Sequence, residues 1–187
     1  MKRKITVPLT PDVVDSLKAG DIVEITGTVY TARDAAHKRM IALLDEGKPL
    51  PFPPEGQVIY YVGPCPAPEG KVIGSAGPTT SGRMDKYTPA LIKAGISGMI
   101  GKGMRDENVI RAMVEYGAVY FGATGGAGAL ISKCIKSQKV IAFDDLGTEA
   151  VRMLEVVDFP AIVLIDRYGN NLYETGRQKY AVVDCGQ

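Results

Sequence analysis

The chain has 187 residues, 45% of them apolar, and its 22 Lys plus Arg against 21 Asp plus Glu leave a net charge of +1. That length suits one domain over residues 1–187 with a real core, and the balanced charge gives no electrostatic ground for a nucleic-acid or anionic-membrane partner. No apolar run approaches the roughly 20 residues that span a bilayer, and the basic start at residues 1–7 leads into no apolar stretch, so neither a membrane anchor nor a signal peptide is expected.

Residues 4–9 read as a first strand. Thr10-Pro11-Asp12 opens a short helix with Val13, Val14 and Leu17 inward, and Gly20 ends it. Residues 21–30 are rich in β-branched side chains and read as a second strand. Ala36, Met40, Leu43 and Leu44 share one helical face, so Arg33 and Asp34 stand where a strand turns into a helix. His37, the one histidine, could serve as a general base, although a packed residue is the commoner outcome at such a position. Residues 48–54 are Pro-rich and make a surface crossing. Residues 57–62 read as a strand, 63–70 as a rigid loop holding Cys65, and 71–76 as a further strand.

Gly77-Pro78-Thr79-Thr80-Ser81-Gly82-Arg83-Met84-Asp85 comes next. A helix beginning among the two threonines and running to Ala94 would place free backbone N–H groups, two hydroxyls and a planar guanidinium together. Such a group suits a carboxylate or a phosphate. The same residues also read as an ordinary capped helix start. Residues 98–100 form a strand ending in Gly101-Lys102-Gly103. Asp106 caps a helix that Gly117 stops, and 118–121 are a strand. The Gly-rich turn at 122–128 admits two readings, a phosphate cradle or close packing, and leads into a helix around Leu130, Ile131 and Cys134. Residues 140–143 form a strand, 149–157 another, and 159–166 a buried one. Arg167-Tyr168-Gly169-Asn170-Asn171 predicts a hairpin turn, with Leu172-Tyr173 as the returning strand.

Arg33, Thr79 with Thr80 and Arg83, and Lys102 thus follow three different strands. In an α/β sheet the strand ends share one edge, where ligands bind. Two arginines and a lysine converging there suit a small dianion. The cysteines, Cys65, Cys134 and Cys185, are far apart with no His partners, which argues against a zinc motif or a disulfide framework and makes the cytosol the expected location.

The Gly77–Asp85 motif, with Thr31-Ala32-Arg33-Asp34-Ala35-Ala36-His37 upstream and Ile100-Gly101-Lys102-Gly103 downstream, resembles the beta subunit of class I fumarate hydratase and L-tartrate dehydratase. The resemblance covers nearly the whole chain, including Asp158-Phe159-Pro160 and Gly169-Asn170-Asn171. It implies a swivelling β/β/α domain of the α/β class, a mixed sheet with flanking helices. It implies a hydro-lyase that interconverts fumarate and L-malate, or acts on tartrate, together with a four-iron four-sulfur cluster held by the cysteines of an alpha subunit. That cluster would act as Lewis acid on the leaving hydroxyl. By the same resemblance Thr79 is the catalytic proton-transfer group, Arg33, Thr80, Arg83 and Lys102 bind substrate, and this chain binds no metal. Asp34 and Asp85 are expected to orient or pair with the arginines. A stand-alone binding module for a small dicarboxylate or phosphate, and a scaffold that only stabilises its partner, remain open on the sequence.

Overall fold

Two-residue alternation sends the side chains of the middle strands into two separate cores. Val58 and Tyr60 enter one, Ile59 and Tyr61 the other; Val119 and Phe121 likewise oppose Tyr120. The computed structural model describes residues 2–180. Its strands are β1 (Arg3–Val7), β2 (Ile22–Thr31), β3 (Val58–Tyr60), β4 (Gly98–Gly101), β5 (Val119–Gly122), β6 (Ile135–Ala142) and β7 (Val151–Ile165). Its α-helices are α1 (Pro11–Ser16), α2 (Asp34–Asp45), α3 (Thr88–Lys93), α4 (Glu107–Tyr116), α5 (Gly128–Ile131) and α6 (Leu172–Tyr180).

β2, β3, β4 and β5 pair in parallel in that order, and β1 lies parallel to the first half of β2, at Val23 to Gly27. β7 runs antiparallel to β2 on one edge and to β5 and β6 on the other. The pairings therefore close a ring, β2–β3–β4–β5–β7–β2. Val23, Ile25, Val29, Phe121, Leu154 and Phe159 fill its interior. Outside it, Ala36 and Met40 of α2, Leu91 and Ile92 of α3, and Val109 and Met113 of α4 cover Ile59, Met99 and Tyr120. This is a mixed sheet with flanking helices, layered β/β/α. No helix among the described residues is long and apolar enough to cross a membrane.

Local signals hold where both ends of an element carry them. Thr10 accepts from Val13 N at the start of α1. Asp106 accepts from Val109 N at the start of α4, and Gly117 closes that helix in the left-handed conformation at φ 78°.

Elsewhere the structure corrects the reading. Residues 71–76 are not a strand: both edges of β3 are taken by β2 and β4. The segment instead folds back on its own loop, with Cys65 N donating to Ser75 O at 2.9 Å and Gly74 pressed onto the carbonyls of Cys65 and Pro66. No α-helix begins at the threonines. Ser81–Met84 make one 3₁₀ turn, and the α-helix waits for Thr88, because Pro89 suits only a first turn. The strand expected at 140–143 is the end of the longer β6, and the helix before it shrinks to α5 and a 3₁₀ turn at Ser132–Cys134. The two strands expected over 149–166 are the single β7. After the turn at 166–170 the chain does not return as a strand. One bridge, Ile165 to Asn171, is all that forms, and α6 begins. Asn171 Oδ1 accepts from Tyr173 N at 3.1 Å and its amide donates to Glu174 at 2.9 Å, a reciprocal cap.

His37 is fully buried on α2. Its Nδ1 lies 2.8 Å from the Arg33 carbonyl, which can only accept, so Nδ1 carries the ring proton. Nε2 is buried without a partner among the described residues. The packed reading holds. Burial, against the helping carbonyl and with the Arg105 charge adding to it, pushes the imidazole down to about 4. The unfolded chain therefore takes up a proton near 6.5 that the folded chain refuses. Stability should be full above that pH and fall by up to about 3 kcal/mol as the pH drops toward 4. Unfolding measured across this window should show the loss, and His37→Phe should flatten it; an unchanged slope in the variant would reject the assignment.

Candidate functional site

The parallel register aligns Thr31, Tyr60, Ile100 and Phe121 in one row across β2 to β5. Arg33 and Lys102 each stand two residues beyond that row. At about 3.3 Å per residue and 4.8 Å between strands, their backbones lie on one rim roughly 10 Å apart.

The loop carrying the threonines closes the gap between them. Thr79 N donates to Tyr61 O at 2.7 Å, and Ser81 N donates to Lys102 O at 2.8 Å. Thr80 is bridged to Lys102 as though adding a short parallel strand. Thr79 thus lies beyond the end of β3 and Thr80 beside Lys102. Thr80 caps nothing with its side chain, so the capped-helix reading fails, and the residue stands exposed.

Arg83 turns back from the 3₁₀ turn toward β2. Its Nε lies 3.1 Å from Asp34 Oδ1 and its Nη2 2.7 Å from Oδ2. Arg33, the neighbour of Asp34, reaches Glu149 through Nη2 at 3.1 Å, and Glu149 also accepts from Ala35 N at 2.9 Å. The Arg33 Nη1 lies well inside contact distance of where a Cβ at Gly63 would stand, so a side chain there would displace the guanidinium. The Lys102 side chain is exposed and runs past Gly125: a Cβ there would lie 3.7 Å from Nζ. Among the described residues no carboxylate pairs with that ammonium.

All five predicted residues are therefore brought to one rim. The Gly-rich turn belongs there too, as packing. Gly128 lies against Gly77, its would-be Cβ 2.8 Å from Gly77 N, and its carbonyl accepts from Ala76 N at 3.1 Å.

Several residues of the site had no signal in the sequence reading. Asp34 does pair with Arg83, but Asp85 pairs with Arg105, which nothing local singled out. Arg105 Nε meets Asp85 Oδ1 at 2.7 Å, its side chain fully buried. Asp85 Oδ2 accepts from Asp106 N at 2.7 Å, and Arg105 Nη2 donates to Thr88 at 2.9 Å. This ion pair ties the Arg83 turn to the Lys102 loop, and removing one partner would leave a buried charge at a cost of about 3–5 kcal/mol. Glu149, Ser81, Tyr120 and Tyr173 were also missed.

The rim is open. A cleft of about 500 Å³, lined in part by Cys65, Gln138, Thr148 and Arg152, lies beside it rather than on it, while Thr80, Arg83 and Lys102 stand exposed. Cys65 is exposed and Cys134 half-buried, both free thiols; Cys185 lies outside the described residues. No group of three or more His, Cys, Asp or Glu side chains gathers as a metal site among the described residues.

Comparison with known proteins places this geometry. The family described as Fumarase C-terminus matches residues 2–176. Fumarate hydratase 1, mitochondrial, of Leishmania major is 40% identical over 88% of this chain and 31% of its own. Fumarate hydratase class I, anaerobic, of Escherichia coli K12 is 41% identical over 81% of this chain and 28% of its own. A Methanocaldococcus jannaschii chain with the provisional name L(+)-tartrate dehydratase subunit beta is 41% identical over 91% of both chains. The chain spans about a third of the length of the fumarate hydratases it matches. With a match that runs through every strand and every residue of the rim, the chain belongs to the fumarase C-terminus family.

Proposed function

We propose that this chain is the beta subunit of an iron–sulfur hydro-lyase that reversibly hydrates fumarate to L-malate. The observation that carries the reading is the open rim, where Arg33 and Lys102, past the ends of β2 and β4, and Arg83, on the 3₁₀ turn between them in sequence, gather with Thr79 and Thr80. Family membership and the relatives' names support it.

The residue types suit the chemistry. Dehydration removes a weakly acidic proton beside a carboxylate and builds negative charge on that carboxylate. Donors already fixed around the charge lower the barrier without reorganising. Arg33 and Arg83 are held by Glu149 and Asp34, so their guanidinium planes are set before substrate arrives. Lys102 brings an ammonium without such a partner. Thr79 is the proton-transfer group and Thr80 donates a hydrogen bond to substrate. A threonine hydroxyl is a weak base unaided, so Thr79 works with an ionised group supplied across the open face.

The described residues offer no ligand set for a four-iron four-sulfur cluster, and the proposal assigns the cluster to a separate alpha subunit. The steps that fall to this chain are binding, orientation and one proton transfer. With Asp34 and Glu149 paired to the two arginines, Arg33, Arg83 and Lys102 leave a single net positive charge, too little to hold a dianion tightly. The free thiols suit a reducing compartment, and we place the protein in the cytosol. A second reading, the L-tartrate dehydratase beta subunit, is supported by the match with the M. jannaschii chain over 91% of both chains.

The chain alone should be inactive and bind fumarate weakly. Co-expressed with a cysteine-bearing partner and assayed without oxygen, it should turn over fumarate and malate faster than either tartrate. The reverse order would favour the tartrate reading, and tight dicarboxylate binding by the isolated chain would favour a binding module. In the assembled enzyme Arg83→Ala should lower kcat/KM by more than about tenfold; an unchanged rate would reject the site.

A further inference from the structure

Lys102 and Gly103 lie past the last ladder pair of β4, where backbone groups ordinarily turn to water. Here all four are engaged. Lys102 N donates to Ser81 Oγ at 3.1 Å, and Lys102 O accepts from Ser81 N at 2.8 Å. Gly103 N donates to Tyr173 Oη at 3.0 Å, and Gly103 O accepts from Tyr120 Oη at 2.9 Å. Tyr120 Oη and Ser81 Oγ are themselves 2.8 Å apart.

The protons can be ordered. The Gly103 carbonyl can only accept, so the single Tyr120 proton goes to it. Ser81 Oγ already receives the Lys102 N–H, and its own proton goes to Tyr120 Oη. The chain runs from Lys102 N–H through Ser81 and Tyr120 to the Gly103 carbonyl, each bond polarising the next. Burial pushes the Tyr120 phenol up, so it stays protonated and able to donate. The anchors are rigid as well. Tyr120 is fully buried, with the Arg105 guanidinium 5.0 Å over its ring. Ser81 Oγ fills the place of a Cβ on Gly101, and Gly103 has a φ of +85°.

We infer that Ser81, Tyr120 and Tyr173 are positioning residues that fix the direction in which Lys102 leaves the rim, an inference that rests on Lys102 holding a substrate carboxylate as proposed above. A lysine has four rotatable side-chain bonds, so a mobile Cα would spread its ammonium over several ångströms. A displacement of about 1 Å at a binding group can cost on the order of a hundredfold in rate. The three hydroxyls touch no substrate; they act through the backbone of Lys102. Tyr173 brings the first turn of α6 into the same clamp.

The test is a double-mutant cycle in the assembled enzyme on fumarate. Tyr120→Phe, Ser81→Ala and Tyr173→Phe each remove one hydroxyl. Each should raise KM and lower kcat/KM about tenfold while leaving the Tm within a few degrees. In a Lys102→Ala background the same changes should add less than about twofold. If Lys102→Ala costs activity but the hydroxyl variants cost nothing, or the same in both backgrounds, the clamp is wrong and the function stands. If Lys102→Ala itself changes nothing, the function reading fails instead. Should Tyr120→Phe not fold, Tyr173→Phe on the partly exposed first turn of α6 carries the same cycle.

Discussion

The long antiparallel contact between β2 and β7 is the constraint on which the remaining geometry rests. β7 lies along β2 from Arg152 opposite Thr31 to Ile162 opposite Ile22. Its other edge takes β6 and then β5. Without that strand the four parallel strands would be an open sheet with two raw edges. With it they are bent into a ring, and the register of β2 against β3 and β4 is fixed by closure as well as by local pairing. Arg33 and Lys102 sit at the ends of β2 and β4, so their separation is set by that register.

The charged groups of the rim are arranged in two depths. Arg105 and Asp85 are buried and satisfied mainly by each other, by Thr88 and by the backbone of Asp106. They hold two loops together. Arg33 and Arg83 lie nearer to solvent, each oriented by one carboxylate that comes from a different part of the chain. A guanidinium held by one acid still offers N–H groups on its other edges. Orientation and availability are thereby combined, at the expense of net charge.

Much of this was legible from residue order, and what was not has identifiable causes. α4 announced itself because Asp106, the apolar spacing of Val109, Ile110 and Met113, and Gly117 all lie within twelve residues. The convergence of Arg33 and Lys102 was legible because parallel strands deliver their ends to one side; Thr79 and Arg83 join them for another reason, a loop pinned to Tyr61 and Lys102 where the sequence suggested a strand. The apolar run at 71–76 misled because strand formation needs a free neighbour, and β3 had none left. α6 was missed although its cap, Asn171 with Glu174, was visible; Gly169 and the two asparagines made a hairpin the stronger local suggestion. Arg105 and Tyr120 gave no warning at all. Their roles depend on partners between 17 and 44 residues away, and nothing in their immediate sequence distinguishes them from surface or core residues.

Gly63 carries a consequence of its own. It is the floor on which one arm of the Arg33 fork lies, with no atom to spare. A single methyl group at this place would tilt the fork off the rim while leaving every ionisable group of the protein intact. The direction of the Arg33 fork is thus open to steric control alone, at a residue that bears no charge, donates nothing from its side chain, and would be invisible to any account that counted only polar groups.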